Sequence, residues 1–130
     1  MGANRVAFLV LWRGNPEGFG VSDFTPVLEQ LMAVILDRKH NPPAKSYTNA
    51  LLAGGVQKIG GKILEEAAEV VEAASEAGEP GRQHLVYEAG DLLYHLWVLL
   101  ALHEIPLAEV EAELARRFGI SGIDEKASRP

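Results

Sequence analysis

Five carboxylates stand at helical spacing in two stretches of the chain: Glu65, Glu66 and Glu69 between Lys58 and Glu72, and Glu88 and Asp91 between Tyr87 and Leu102. Residues three or four apart share one face of a helix. Two helices brought together on these faces make a cluster of acids. Carboxylate oxygens are hard ligands, suited to Mg²⁺ or Mn²⁺ and not to zinc, and Mg²⁺ characteristically meets substrate phosphates. The chemistry indicated is metal-assisted work on a phosphorylated substrate.

The elements that must position these acids are legible from periodicity. At about 100° of rotation per residue, Lys58, Lys62, Glu65, Glu66, Glu69 and Glu72 fall within an arc of roughly 120°. Val56, Ile59, Ile63, Leu64, Ala67, Val70 and Val71 fall on the other side. Alone, this pattern describes an ordinary amphipathic helix with a solvated charged face and a local Lys62–Glu66 ion pair. The second stretch argues otherwise. Val86, Leu92, Leu93, Leu96, Trp97, Val98, Leu99, Leu100 and Leu102 surround that helix on every side, the mark of a buried helix. Glu88, Asp91 and His95 occupy an arc of about 60° within it. Buried carboxylates need pairing or coordination, and five acids against the two lysines of the facing stripe favour metal. A di-iron bundle is the competing oxygen-ligand site, but it calls for inward Glu-x-x-His pairs. Here the pairs are Glu66-x-x-Glu69 and Glu88-x-x-Asp91, with His95 four residues past Asp91.

The whole chain is consistent with such a site. Its 130 residues suit one domain with a core of its own. A net charge of −6 argues against nucleic-acid binding through a broad basic surface. With no cysteine, disulfides, thiolate nucleophiles and Cys-ligated zinc are all excluded, which suits a cytoplasmic protein. Residues 1–21 differ from the rest: Val6 to Trp12 is an apolar run too short to span a membrane, followed by a Gly/Pro-rich stretch. A translation start at Val21, from a GTG codon read as Met, would make this extension an untranslated stretch; native N-terminal mass spectrometry showing Met1 or Gly2 would exclude that.

From Ser22 to Pro130 the pattern predicts an all-α bundle of about five helices. Thr25 is placed to cap a helix with Pro26 at its first position, ending at Asn41-Pro42-Pro43. Ser46 is placed to cap a short helix that stops at Gly54-Gly55, and Gly60-Gly61 to interrupt the acidic helix near its start. Gly78, Pro80 and Gly81 form the expected turn into the buried helix. Pro106 is placed to start a last helix with Val110, Leu114 and Phe118 inward and Gly119 as its stop. An irregular polar tail, 120–130, is expected after it.

These motifs carry a resemblance. Glu65-Glu66-x-x-Glu69 followed by Glu88-x-x-Asp91 resembles the metal motif of the all-α nucleoside triphosphate pyrophosphohydrolases. Ser46-Tyr47-Thr48, Lys62 to Ala67, Asp91 to Leu96 and the tail Ser121 to Arg129 are similar, within that superfamily, to the phosphoribosyl-ATP pyrophosphohydrolases of histidine biosynthesis. The resemblance covers Ser22 to Arg129, with Leu64 standing where relatives often have Gly. It implies hydrolysis of phosphoribosyl-ATP to phosphoribosyl-AMP and pyrophosphate with Mg²⁺ (or Mn²⁺), by a homodimer whose helices complete a larger bundle. It further implies Glu66, Glu69, Glu88 and Asp91 as metal ligands. Glu65, beside the ligands in the chain, is the group placed to activate water, with a role as a further metal ligand the alternative. Lys58 and Lys62 are the phosphate contacts, with intrahelical salt bridges the alternative, and Lys126 and Arg129 are substrate contacts on a tail placed to close over it, with surface solubility the alternative. His95 is read as a core or supporting histidine beside the ligands. Two other classes are kept: a house-cleaning pyrophosphohydrolase acting on non-standard nucleotides, and a non-enzymatic helical dimerisation module. Turnover of dUTP and dCTP discriminates the first; an absence of divalent-ion binding would mark the second.

Overall fold

The computed structural model describes residues 26–130, among which every regular element is a helix. In chain order these are α1 (Val27–His40), α2 (Tyr47–Ala74), α3 (Gly78–Leu102), α4 (Leu107–Arg116) and α5 (Gly122–Ser128). Residues 1–25, and with them the Thr25 cap, the apolar run and the Val21 start, lie outside the described residues.

α1 starts one residue later than its sequence indicates. Pro26 is the cap residue, with extended backbone (ψ 141°), and its carbonyl accepts from the Gln30 amide at 3.0 Å. The helix ends before Pro42, which disfavours helical backbone at the residue preceding it. Arg38, Lys39 and His40 lie in its last turn, where cations complement the helix dipole. Ser46 does cap α2, its hydroxyl accepting from the Asn49 amide at 3.2 Å.

Two glycine expectations are corrected in α2. Gly54-Gly55 does not end a separate helix; the chain kinks at Gly55 (φ 69°, ψ −164°) and resumes, a conformation essentially closed to residues with a Cβ. The Lys58 ammonium reaches back across the kink toward the Ala50 carbonyl, 3.5 Å away. Gly60-Gly61, by contrast, does not interrupt the helix at all. Among the described residues a Cβ at either position would meet nothing within 4 Å, so close packing against the described helices is not what they serve.

A third correction concerns the turn into α3, which occupies only Ser75 to Ala77. Gly78, Pro80 and Gly81 belong to the helix's first turn, where proline is tolerated because its missing N–H has no intrahelical partner anyway. A Cβ on Gly81 would lie 2.5 Å from the Glu76 carbonyl oxygen, so glycine lets the turn fold back onto the helix. So short a connection makes α2 and α3 an antiparallel hairpin.

One core joins the first three helices: Leu31, Met32, Val34 and Ile35 from α1, Leu51 and Ile59 from α2, and Tyr94, Trp97, Val98 and Ala101 from α3. Several polar groups at its edges find partners. The Trp97 indole donates to the Leu28 carbonyl (2.9 Å), the Asn49 amide to the Arg38 carbonyl (2.7 Å), and Thr48 and Tyr94 share a buried hydroxyl–hydroxyl bond of 2.6 Å. Lys39 donates to the Ala101 and Leu102 carbonyls at 2.9 and 3.1 Å, serving acceptors that the end of α3 leaves without helical partners.

α3 is buried on one side only. Its length and composition would let it cross a bilayer, yet its inner face carries Glu88, Asp91 and His95 beside Trp97 and Val98. It is the central helix of the core. Its other side is open, with Val86, Leu93 and Leu96 exposed. α2 departs further from its helical wheel. Its buried line runs Ile59, Glu66, Ala73, along the boundary between the acidic and apolar arcs, and leaves Leu64 and Val71 74% and 72% exposed. The expected inward placement of Leu114 and Phe118 also fails: Leu114 is half-exposed and Phe118 fully at the surface. Finally, the tail is not irregular. Ser121 accepts from the Asp124 amide at 3.1 Å and opens α5.

Candidate metal centre

Because α2 and α3 form a hairpin, the acids of one meet the acids of the other. Glu66 and Glu69 from α2 and Glu88 from α3 bring one carboxylate oxygen each to within 4.8 Å of one another. Glu66 and Glu88 are fully buried, and Asp91, one turn beyond Glu88, is 2% exposed. Asp91 is not part of the mutually close trio. Glu69 sits half-buried at the rim. Its carboxyl is pushed up to about 7, first by desolvation, then by hydrogen bonds with Glu88 and Glu66, then by their charges. Crowding acids in low dielectric makes ionising all of them unfavourable unless a positive charge lies among them. A buried set of oxygen donors under this mutual repulsion fits a hard divalent cation.

Glu65 stands apart from the trio. It is exposed and pairs with Lys62 at 3.3 Å, so the expected Lys62–Glu66 pair is replaced by Lys62–Glu65. Burial accompanies the exchange: Glu66 is fully buried against Glu88 of α3, whereas Glu65 stays at the surface. Lys58 is turned toward the α2 kink. Lys126 and Arg129 lie on α5 and just after it, exposed and outside the three-helix core.

His95 is fully buried beneath the acids, with Nδ1 2.8 Å from the Asp91 carbonyl and Nε2 3.3 Å from the Tyr47 hydroxyl. A carbonyl only accepts, so Nδ1 carries the hydrogen. Burial holds the imidazole below its usual pKa, so it is neutral and Nε2 accepts from Tyr47. The histidine thus ties the Asp91 backbone to α2 and offers the cluster no ligand nitrogen. Tyr47 feels the acids too: its phenol is pushed up to about 12 by burial and by the charges of Glu66, Glu65 and Asp91. The Tyr94 phenol, between Tyr47 and Thr48, is raised mainly by burial.

One neighbour of the cluster is not among the residues singled out from sequence. His84 places Nε2 3.1 Å from Glu88 Oε1 and Nδ1 3.0 Å from the carboxylate of Glu76. The hydrogen bond to Glu76 is the main cause of its raised pKa. Its signal in the sequence is the four-residue spacing to Glu88, which by itself is too common to select it.

Comparison with known proteins places this geometry in context. Residues 28–118 match the family model described as "Phosphoribosyl-ATP pyrophosphohydrolase". That interval contains the acids, Lys58, Lys62, His84 and His95, and leaves Lys126 and Arg129 outside. A protein of Rhodopirellula baltica named "Phosphoribosyl-ATP pyrophosphatase" is 56% identical over 103 residues, covering 79% of this chain and 86% of that protein. Proteins of the same name from Trichlorobacter lovleyi and Novosphingobium aromaticivorans are 53% and 52% identical, over 93% and 94% of their lengths and 79% of this chain in each case.

Proposed function

The chain belongs to the phosphoribosyl-ATP pyrophosphohydrolase family, and from that premise we propose how its acid cluster performs the family's reaction. The protein is a hydrolase that converts phosphoribosyl-ATP and water to phosphoribosyl-AMP and pyrophosphate, a step of histidine biosynthesis. The bond cleaved is the anhydride between the phosphate that stays with the nucleoside and the two that leave.

Glu66, Glu69, Glu88 and Asp91 would hold Mg²⁺, with Mn²⁺ as its substitute. The bound cation supplies charge neutralisation for the triphosphate and Lewis acidity toward its oxygens. The protein's own groups do the rest. Burial of Glu66 and Glu88 fixes their oxygens beside Glu69, and Asp91 is held buried one turn further along α3, a form of preorganisation that needs no rearrangement as the leaving group gains charge. Glu65, exposed on α2 and next to Glu66 in the chain, accepts the proton of the attacking water. Lys62, paired with Glu65, offers a point charge to phosphate oxygens, and Lys58 offers a second on leaving the Ala50 carbonyl toward which it is turned. Lys126 and Arg129 reach the substrate from the tail. His95 and Tyr47 hold Asp91 in place.

The open apolar strips of α2 and α3 support a homodimer, in which Leu64, Val71 and Val86 meet a second copy. A small-molecule nucleotide is the substrate, and the cytoplasm the place of action. The observation that carries this reading is the trio of carboxylates from two helices, drawn together with two of the three fully buried.

Pyrophosphate release from phosphoribosyl-ATP with Mg²⁺ tests it. Wild type is expected to turn over, while Glu69→Ala and Asp91→Ala, folded by circular dichroism, lose activity by about 10²-fold or more. Equal release by all three proteins would remove the cluster from the mechanism.

A further inference from the structure

Glu88 enters the acid cluster fully buried, and where its ligand oxygens point depends on what holds the carboxylate from behind. The group doing so is His84, one turn earlier on α3 and about one-fifth exposed, with Nε2 3.1 Å from Glu88 Oε1. The other ring nitrogen faces both oxygens of Glu76 at 3.0 Å. Carboxylates accept and do not donate when ionised, so the imidazole is gripped through both nitrogens and its plane is set. Glu76 is itself well anchored. It lies in the short turn between α2 and α3, its amide bonds to the Ala73 carbonyl at 3.1 Å, and its own carbonyl rests where a Cβ on Gly81 would be 2.5 Å away. The turn, the histidine and the acid therefore form one chain, Glu76–His84–Glu88, built on the first three turns of α3.

We propose that His84 is a positioning residue: by bridging Glu76 to Glu88 it fixes the rotation of the buried Glu88 carboxylate and so presets the acid cluster for a hard divalent cation. Holding one oxygen of a carboxylate determines where the other can lie, and partners that orient ligands in this way typically change metal affinity by about 10–100-fold. The inference rests on the reading of the cluster as a cation site. An ion pair that merely pinned the turn would alter stability and leave cation affinity unchanged.

Mn²⁺ binding to the full chain, followed by the electron paramagnetic resonance of free Mn²⁺ or by calorimetry, separates the two. His84→Ala is expected to weaken Mn²⁺ about 10–100-fold. Glu76→Ala, at a half-exposed turn position outside the acid trio, is expected to weaken it in the same direction by a smaller factor. His84→Gln, whose side-chain amide can still donate to Glu88, is expected to recover most of the affinity. Wild-type or tighter binding by His84→Ala overturns the proposal. If that variant does not fold, Glu76→Ala decides, and unchanged Mn²⁺ affinity there overturns it equally. Wild type that binds no Mn²⁺ overturns the cation reading of the cluster and this proposal with it; normal wild-type binding with unaffected variants overturns this proposal alone.

Discussion

Glu69 makes the crowding of the acids measurable in solution. Its carboxyl is raised from 4.5 to about 7 in the folded protein. An acid whose folded pKa lies above its unfolded value stabilises the fold fully below about pH 4.5 and loses that contribution as pH rises through about 7. At about 1.4 kcal/mol per unit the shift amounts to on the order of 3 kcal/mol, and half-burial with solvent screening brings this to about 1–2 kcal/mol. Two histidines overlie it. His84, raised chiefly by Glu76, contributes with the same sign, whereas His95, lowered by burial, loses stability as pH falls below about 6.5. Glu69→Gln isolates the acid from both. Urea titrations in EDTA at pH 5 and pH 8 should show wild type losing about 1–2 kcal/mol more than Glu69→Gln over that interval. Adding Mg²⁺ at about 100 times its Kd should restore about 2.7 kcal/mol to wild type at pH 8, with a weaker effect at pH 5, where protons compete for the ligands. Wild type and Glu69→Gln running parallel from pH 5 to pH 8 would refute the argument that the acids are mutually repelled.

Three further outcomes follow from the fold. Thr48→Val leaves the buried Tyr94 hydroxyl without its 2.6 Å partner and should cost about 1–3 kcal/mol in chemical denaturation. Gly55→Ala forces a Cβ onto backbone at φ 69° and ψ −164°; it should cost about 1–3 kcal/mol, seen as a lower melting temperature. Charging the open strip with Leu64→Glu and Val71→Glu together should shift the mass in solution, by light scattering, from two chains to one, and an unchanged mass would place the dimer interface elsewhere.

Much of this was legible along the chain because it depends on local rules. Helical periodicity places Glu66 with Glu69 and Glu88 with Asp91 on shared faces whatever surrounds them, and the Ser46 cap and the stop at Pro42 are equally local. Elsewhere the local rules point the wrong way. Gly60-Gly61 looks like a break, but each glycine weakens a helix by only about 1 kcal/mol, which the packing of Ile59 and Glu66 on either side outweighs. Gly54-Gly55 is marked as a stop by the same rule, and there the helix does break, at Gly55, before it resumes.

The residue types and spacing in the sequence thus determined that this chain is helical, that its acids can meet, and that oxygen-ligand phosphate chemistry is what they suit. Tertiary structure alone decided how each helix is rotated about its axis. Periodicity states which residues share a face and is silent on which face meets a neighbour. That is why Glu66 rather than Leu64 turns inward, why Lys62 pairs with Glu65, and why His84 comes to stand between Glu76 and Glu88. The hairpin brings together groups from α2, its turn and α3, and that juxtaposition exists only once the helices have packed.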